Sequence, residues 1–523
     1  MSRTVRETVL DQLRAFGMTE IFGNPGSTEL PMFRDFPDDF RYVLGLQEAV
    51  VVGMADGYAQ ATRNAALVNL HSAAGVGHAM GNIFTAWRNR TPLVITAGQQ
   101  ARSMLVGEPF LFAERATELP KPYVKWSCEP ARAQDVPAAL ARACHLALAP
   151  PTGPVFLSVP VDDWDEPMDP RQPLPARTVS TAVRADPALL DRVAGALARS
   201  ARPALVIGAG VDRDGAFEEA VALAERHRAR VWVAPMSARC GFPESHPLFA
   251  GFLPADRDGI RTRLAEHDVV VVAGAPVFSY HVEGEGPHLA GGTELFQLID
   301  DPATAAWTPL GTSVVTSIRL GLLDLLAGPP PSPRPSPPPR ERPAKVVDPA
   351  TITEALLMQT LAEVRPESSI VVEEAPSSRA VMHEYLPFDR PESFFTCASG
   401  GLGHSMPAAV GVALARPDQQ VIALLGDGSS MYSVQALWSA ARESLPIVFV
   451  VVNNGGYAAL DGFARHFGIG KPVGTALPGI DFAGLARDLG CVGVTVRRPD
   501  ELRGALCDAL AASTPYLLDV HIS

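Results

Sequence analysis

Short apolar runs alternate with longer amphipathic stretches along almost the whole chain. In the first third the runs IFGNPG, ALVNLH, LVITAG and VFLSVP stand out, with YVLGL ahead of an Ala/Gly-rich stretch. Between them VRETVLDQLRAFG, EAVVVGMADGYAQAT and DVPAALARACHLAL carry apolar residues at helical spacing. The middle third repeats the plan with ALVIGAG, VWVAP, VVVVAG and LFQLID, and the last third with SIVVEE, VIALLGD, IVFVVVNN and YLLDVHI. Nearly continuous Val, Ile and Leu between helices marks parallel strands covered on both faces. The pattern predicts an α/β protein of three doubly wound parallel-sheet domains. The repetition is on the scale of a domain, with no short period beneath it.

Two breaks divide the chain. GPPPSPRPSPPPRERPAK, residues 328–345, suits neither a helix nor a central strand and predicts an extended, polyproline-like linker. A softer break, EPMDPRQPLPARTVSTAVRADP, spans residues 166–187. The expected domains are residues 1–180, 181–327 and 349–523, with the linker at 328–348. A chain of 523 residues is long enough for about three domains. Its net charge of −13, from 44 Lys and Arg against 57 Asp and Glu, disfavours nucleic acid and anionic membranes as partners. No apolar run is long enough to span a bilayer, and the N-terminal residues lack the apolar core of a signal peptide. Six scattered cysteines without a C-x-x-C suit a reducing cytoplasm and no disulfides.

The richest chemistry lies in LLGDGSSMYS, residues 424–433. Asp427 ends an apolar strand between Gly426 and Gly428, and Ser429 lies in the first turn of the helix expected next. The following strand ends in Asn453, Asn454, Gly455, Gly456 and Tyr457. Open parallel sheets bind ligands beyond the C-terminal ends of their strands. Two strand ends thus offer a carboxylate and an amide oxygen, a sparse, hard donor set of the kind Mg²⁺ takes with phosphate and water. A helix N-terminus beside it suits an anion. Alone, Gly-Asp-Gly reads equally well as a helix cap; the Asn-Asn-Gly-Gly partner favours the cation. The paired motifs resemble the signature of thiamine-diphosphate (ThDP) enzymes.

The resemblance extends through GNPGSTELPMF, LQEAVVVGMADGYAQAT, LVNLHSAAGVGHAMGN, LVITAGQQAR, VKWSCEPA, GPVFLSVPVDDWD, VVVVAGAPVFSYH and GGLGHSMPAAVGVALA. Together these are similar to the benzoylformate decarboxylase family of ThDP-dependent 2-oxo acid decarboxylases. The resemblance implies a pyrimidine-binding domain, a central domain and a diphosphate-binding domain. It implies that Glu48 activates the aminopyrimidine ring so that the thiazolium becomes an ylid. A carboxyl in an apolar setting can share a proton with a ring nitrogen; out of this context Glu48 would be an ordinary helix-start acid. Ser27 would bind the substrate carboxylate, with His71 and His281 as acid/base groups. Leu402 would hold the cofactor bent and Gly400 would accept from its amino group. Asp427, Asn454 and the carbonyl of Gly456 would ligate Mg²⁺, Ser377 and Ser429 would contact the diphosphate, and Gly428 and Tyr457 would belong to the cofactor-binding set. Phe110, Leu111, Leu460 and Phe463 would line the pocket. The implied reaction is decarboxylation of an aromatic 2-oxo acid through an enamine, with carboligation as a side activity, in a homo-oligomer (a dimer of dimers) whose sites lie between subunits.

Some positions depart from the family pattern. Ala375-Pro376-Ser377 stands where a Ser/Thr cluster is expected, Asp461-Gly462 replaces Arg-Trp, His404 replaces an aromatic, and Phe110 replaces a leucine. His78 and His404 receive no transferable role. Outside the family, the histidines read as ordinary strand-end and loop residues and Ser27 as a helix N-cap. Three other functions stay open: an acetolactate-synthase-like carboligase or acyl-CoA lyase, a non-catalytic ThDP-binding protein, and a dinucleotide oxidoreductase. A nucleotide-binding middle domain would favour the first, but IGAGVDRDGA is only a partial G-x-G pattern. The last is disfavoured because no full G-x-G-x-x-G follows a strand with an acid about 20 residues on.

Overall fold

The computed structural model describes residues 3–169 and 177–523. Residues 170–176 of the softer break lie outside them. The strands form three six-stranded sheets, and their pairings run parallel.

The first sheet holds β1 (Glu20–Gly23), β2 (Arg41–Leu44), β3 (Ala66–Leu70), β4 (Leu93–Gln99), β5 (Ser127–Cys128) and β6 (Val155–Pro160) in the order β2-β1-β3-β4-β6-β5. The second holds β7 (Pro203–Ile207), β8 (Arg230–Val233), β9 (Phe249–Phe252), β10 (Val269–Ala273), β11 (Glu294–Ile299) and β12 (Thr312–Val315) as β12-β11-β10-β7-β8-β9. The third holds β13 (Ile370–Glu374), β14 (Phe394–Thr396), β15 (Val421–Gly426), β16 (Val448–Asn453), β17 (Val492–Val496) and β18 (Tyr516–His521) as β14-β13-β15-β16-β18-β17. The first and third sheets share one topology. In each, strand order reverses between the first and third strands, the place where such sheets bind ligands.

Interior strands such as β3, β10 and β16 are buried along their length, as their mainly apolar content requires. The described residues cluster into two compact units. One comprises, of these, residues 3–169, 177–179, 348–379 and 399–523, and the other residues 180–347 and 380–398. Within the first unit, helix Glu48–Thr62 crosses helix Ser405–Ala415 with almost no side chain between their backbones. A Cβ on Gly57 would lie 2.1 Å from the carbonyl oxygen of Ala408, and one on Gly411 would lie 1.9 Å from that of Met54. This contact explains the small-residue content of both helices.

A buried polar cluster crosses the same contact. His404 Nε2 stands 3.2 Å from Asp56 Oδ1, with both side chains at 0% exposure. Gln60 donates to the same oxygen, and Asn89 lies 3.4 Å from both Asp56 Oδ1 and His404 Nε2. Burial works against a charged His404, but Asp56 and Glu374 outweigh it and raise the imidazole above its ordinary value.

In the second unit, the proline-rich segment has no helix or strand, as expected, but it is tied down. The buried Arg334 guanidinium donates to Leu197 O (3.1 Å), Ala198 O (2.8 Å) and His227 O (3.3 Å). These carbonyls end helices Pro187–Arg199 and Phe217–His227, where a cation is favoured.

Candidate active site

The loop after β1 carries Gly26 and Ser27, and β3 ends beside it at His71. Glu29 is the residue that joins them. Its buried carboxylate accepts from Gly26 N (2.9 Å) and His71 Nδ1 (2.8 Å) through Oε2. Through Oε1 it accepts from Gly98 N (2.9 Å), at the end of β4, and from the Thr28 hydroxyl (2.6 Å). A Cβ on Gly26 would fall 1.9 Å from His71 Nδ1, so only glycine lets the ring lie against the loop. With Nδ1 committed to Glu29, Nε2 is the nitrogen left to meet a substrate. The Ser27 side chain is exposed and makes no hydrogen bond among the described residues. It is not a helix cap, because the turn Leu30–Phe33 begins at Glu29.

His71 is also the N-cap of helix Ser72–Asn89. Ser72 takes a left-handed backbone (φ 48°) and its hydroxyl donates to Leu111 O at 2.7 Å, where Leu111 is left-handed as well (φ 67°). Such conformations cost about 1–3 kcal/mol each and persist where surroundings enforce them. Their effect here is to fasten the Phe110–Leu111 segment beside His71. Phe110 is 86% exposed in the single chain.

Glu48 begins helix Glu48–Thr62, whose N-cap Gln47 accepts from Ala49 N and Val50 N. The Glu48 side chain lies over Gly75 and pairs with His78, Nδ1 to Oε2, at 3.1 Å. The resemblance had left His78 without a role.

The second group of residues lies on the third sheet. Asp427 follows β15 and is buried, its carboxylate accepting from Gly428 N (2.7 Å) and Gly456 N (2.8 Å). Burial pushes its carboxyl above the usual range, and the amides of Gly428, Gly456 and Gly455 pull it back. Asn454 Oδ1 accepts from Gly456 N at 3.1 Å, so Asp427, Asn454 and Gly456 meet at one point. Tyr457 covers Gly428, where a Cβ would fall 2.3 Å from the ring. Gly426 is less constrained than its motif suggests, since a Cβ there would meet nothing nearer than 3.6 Å. Ser429 is buried. The expected continuous helix after Asp427 is instead two short ones, Asp427–Met431 and Ala436–Arg442.

The loop holding Gly400 (φ 72°) and Leu402 is fixed by Glu374, another residue sequence reasoning missed. Its fully buried carboxylate accepts from Gly403 N (2.6 Å), His404 N (2.9 Å) and Ser405 N (2.7 Å). Thr85 and Ser399 pair through their hydroxyls at 2.8 Å, fastening this loop to helix Ser72–Asn89. Ser377 is exposed in the turn after β13. Leu460 and Phe463 share helix Ala459–His466. His281 belongs to the other compact unit, in the loop after β10, where its backbone N donates to Ala255 O at 2.7 Å. The structure thus brings Ser27, His71 and Leu111 together, and separately Asp427, Asn454, Gly456 and Tyr457. No hydrogen bond joins the two groups among the described residues.

Residues 3–114, 190–324 and 375–520 match, in turn, the N-terminal TPP-binding, central and C-terminal TPP-binding domains of thiamine pyrophosphate enzymes. The chain is 46% identical over 520 residues to a benzoylformate decarboxylase of Pseudomonas aeruginosa, covering 99% of this chain and 98% of the relative. It belongs to the benzoylformate decarboxylase family of ThDP enzymes. A 4-hydroxybenzoylformate decarboxylase from Rhodococcus jostii RHA1 superposes with a TM-score of 0.95 at 42% identity, over 100% of this chain and 99% of that one. A benzoylformate decarboxylase from Polynucleobacter necessarius gives 0.96 at 39% identity, with the same coverage. An acetolactate synthase large subunit of Haemophilus influenzae stands further off, at 24% identity over 99% of this chain and 94% of the relative.

The residues of the third sheet fit the family's cofactor. Among the described residues no three His, Cys, Asp or Glu gather as a metal cage. What Asp427 offers instead is a buried carboxylate beside the Asn454 side-chain oxygen, both turned to the Gly456 N–H, two hard oxygens of the kind a cation takes together with phosphate and water. Among the described residues no helix is long and apolar enough to cross a membrane.

Proposed function

We propose that this chain decarboxylates an aromatic 2-oxo acid, benzoylformate or a ring-substituted relative, to the aldehyde and CO₂, with carboligation as a side activity. The observation that carries the reading is the His71–Glu29 pair packed against the glycine of the Ser27 loop. It presents one imidazole nitrogen and one exposed hydroxyl at a ligand-binding strand end, as a decarboxylase of this family needs. ThDP, when bound, supplies the carbon nucleophile and takes up the electrons released as CO₂ leaves.

The chain's own residues do the rest. Ser27 holds the substrate carboxylate, and His71 Nε2 gives or takes the proton at the reacting carbon, with His281 as the second acid/base group. Glu48 would meet the aminopyrimidine nitrogen, Leu402 would prop the cofactor and the Gly400 carbonyl would accept from its amino group. Asp427, Asn454 and the Gly456 carbonyl would hold Mg²⁺, Ser377 and Ser429 would contact the diphosphate, and Gly428 and Tyr457 would line the cofactor site. Phe110, Leu111, Leu460 and Phe463 form an apolar wall that excludes water from the reacting carbon. Residues 1–180, 181–327 and 349–523 act as the pyrimidine-binding, central and diphosphate-binding domains of a cytoplasmic enzyme. A second copy completes each site; exposed apolar groups such as Phe110 and Val473 on the single chain suit such cover.

The test is aldehyde release from benzoylformate and from pyruvate, side by side, with and without ThDP and Mg²⁺. Cofactor-dependent benzaldehyde with little acetaldehyde is expected. No aldehyde from either acid would overturn the reading in favour of a carboligase or lyase.

A further inference from the structure

Helix Ser72–Asn89 carries two histidines that each meet a glutamate. His71, at its N-cap, holds Glu29 at 2.8 Å. His78, two turns further on (i, i+7), holds Glu48 at 3.1 Å. The second pair falls outside the family roles carried over above. Its geometry is specific: Nδ1 of His78 meets Oε2 of Glu48, while Oε1 is not engaged by any described residue. The carboxylate lies over Gly75, where an added Cβ would stand 3.5 Å from both its Cγ and Oε1. The Glu48 side chain is mostly buried, whereas His78 is 64% exposed in the single chain. Fixing a glutamate side chain in one conformation costs rotamer entropy. A partner that fixes it before a ligand arrives removes that cost from binding.

We infer that His78 is a positioning residue for Glu48, holding Oε2 so that Oε1 is presented to the ring nitrogen of a bound aminopyrimidine. This rests on the proposed role of Glu48. His78 itself touches neither substrate nor cofactor in this assignment; it acts through the glutamate. An amide at position 78 supplies an N–H donor too, so asparagine is the conservative replacement.

The test uses the full-length chain stripped of cofactor. Binding of ThDP is compared, by fluorescence titration with Mg²⁺ present, with binding of an analogue whose pyrimidine carries CH in place of the nitrogen that faces Glu48. The ratio of the two dissociation constants reports the Glu48 contact alone. His78→Ala is expected to lower that ratio about tenfold, which is about 1.4 kcal/mol. His78→Asn is expected to retain most of it. Glu48→Gln is expected to collapse it, and His78→Ala added to Glu48→Gln to change nothing more. Equal weakening toward both ligands in His78→Ala would mean a merely structural histidine and would overturn the inference. So would an unchanged ratio in His78→Ala beside a collapsed one in Glu48→Gln. An unchanged ratio in Glu48→Gln would instead remove the glutamate's own role, on which the inference depends.

Discussion

Glu29→Gln tests how the His71 corner works, because the substitution keeps the shape while it removes the carboxylate charge and turns one of two acceptor oxygens into an NH₂ donor. Four donors converge on Glu29: Gly26 N, Gly98 N, the Thr28 hydroxyl and His71 Nδ1. A glutamine has one oxygen, which can serve one side of this cluster, and an NH₂ that must face the other. With the oxygen toward Gly98 and Thr28, the NH₂ confronts Gly26 N–H and forces His71 into the opposite tautomer. With the oxygen toward His71 and Gly26, the NH₂ confronts Gly98 N–H instead. Either way one buried backbone N–H loses its acceptor, at a cost of about 1–3 kcal/mol. The first arrangement also puts a proton on Nε2 in the resting state, where the proposed mechanism needs a nitrogen whose proton comes and goes. Positioned acid–base groups contribute roughly 10²–10⁴-fold to rate. A fall in kcat of about 10²-fold is therefore expected, with a lower urea midpoint and little change in ThDP affinity. Aldehyde release under saturating benzoylformate measures the first, and equilibrium unfolding the second. Wild-type kcat in a folded Glu29→Gln, alongside an inactive His71→Ala, would show that Glu29 does not set the His71 ring and would refute the reasoning.

Two further predictions concern the third sheet and the helix crossing. Asp427 must lose its proton to hold a cation, and burial raises its carboxyl, so Mg²⁺-dependent ThDP retention should strengthen as pH rises through the carboxylate range. Asp427→Ala should lose that retention, and calorimetry showing unchanged affinity would contradict the metal assignment. His404 is raised in the folded chain by Asp56 and Glu374, against the effect of burial. Its stabilising share is therefore complete below the unfolded value of about 6.5 and is lost as pH rises through the folded value. Urea midpoints measured across that interval should fall in the parent chain and stay flatter in Asp56→Asn; parallel slopes would exclude the pair as the cause.

What the sequence made legible, and what it hid, follows from how each feature is encoded. Interior strands such as β7 and β10 are covered on both faces and therefore written as unbroken apolar runs. The five strands that the pattern does not announce, β5, β9, β12, β14 and β17, are all sheet edges. An edge strand is short and covered on fewer sides, so its composition is not forced; β17 reads VGVTV with only Val496 buried. Site residues divide in the same way. Asp427 and Asn453–Asn454 stand in contiguous motifs at strand ends, where local sequence encodes the backbone turn that presents them. Glu29, Glu374 and the partnership of Glu48 with His78 depend on contacts between segments distant in sequence, whose spacing carries no period. A lone Glu inside GNPGSTELPMF offers one clue only, an acid among residues otherwise suited to a tight loop, and it becomes meaningful once Gly26, Gly98 and His71 converge on it. The proline-rich segment illustrates the converse error. Its composition gives the extended backbone but not the docking of Arg334 onto two helix ends, because an isolated arginine among prolines looks solvated until the carbonyls it caps are in place.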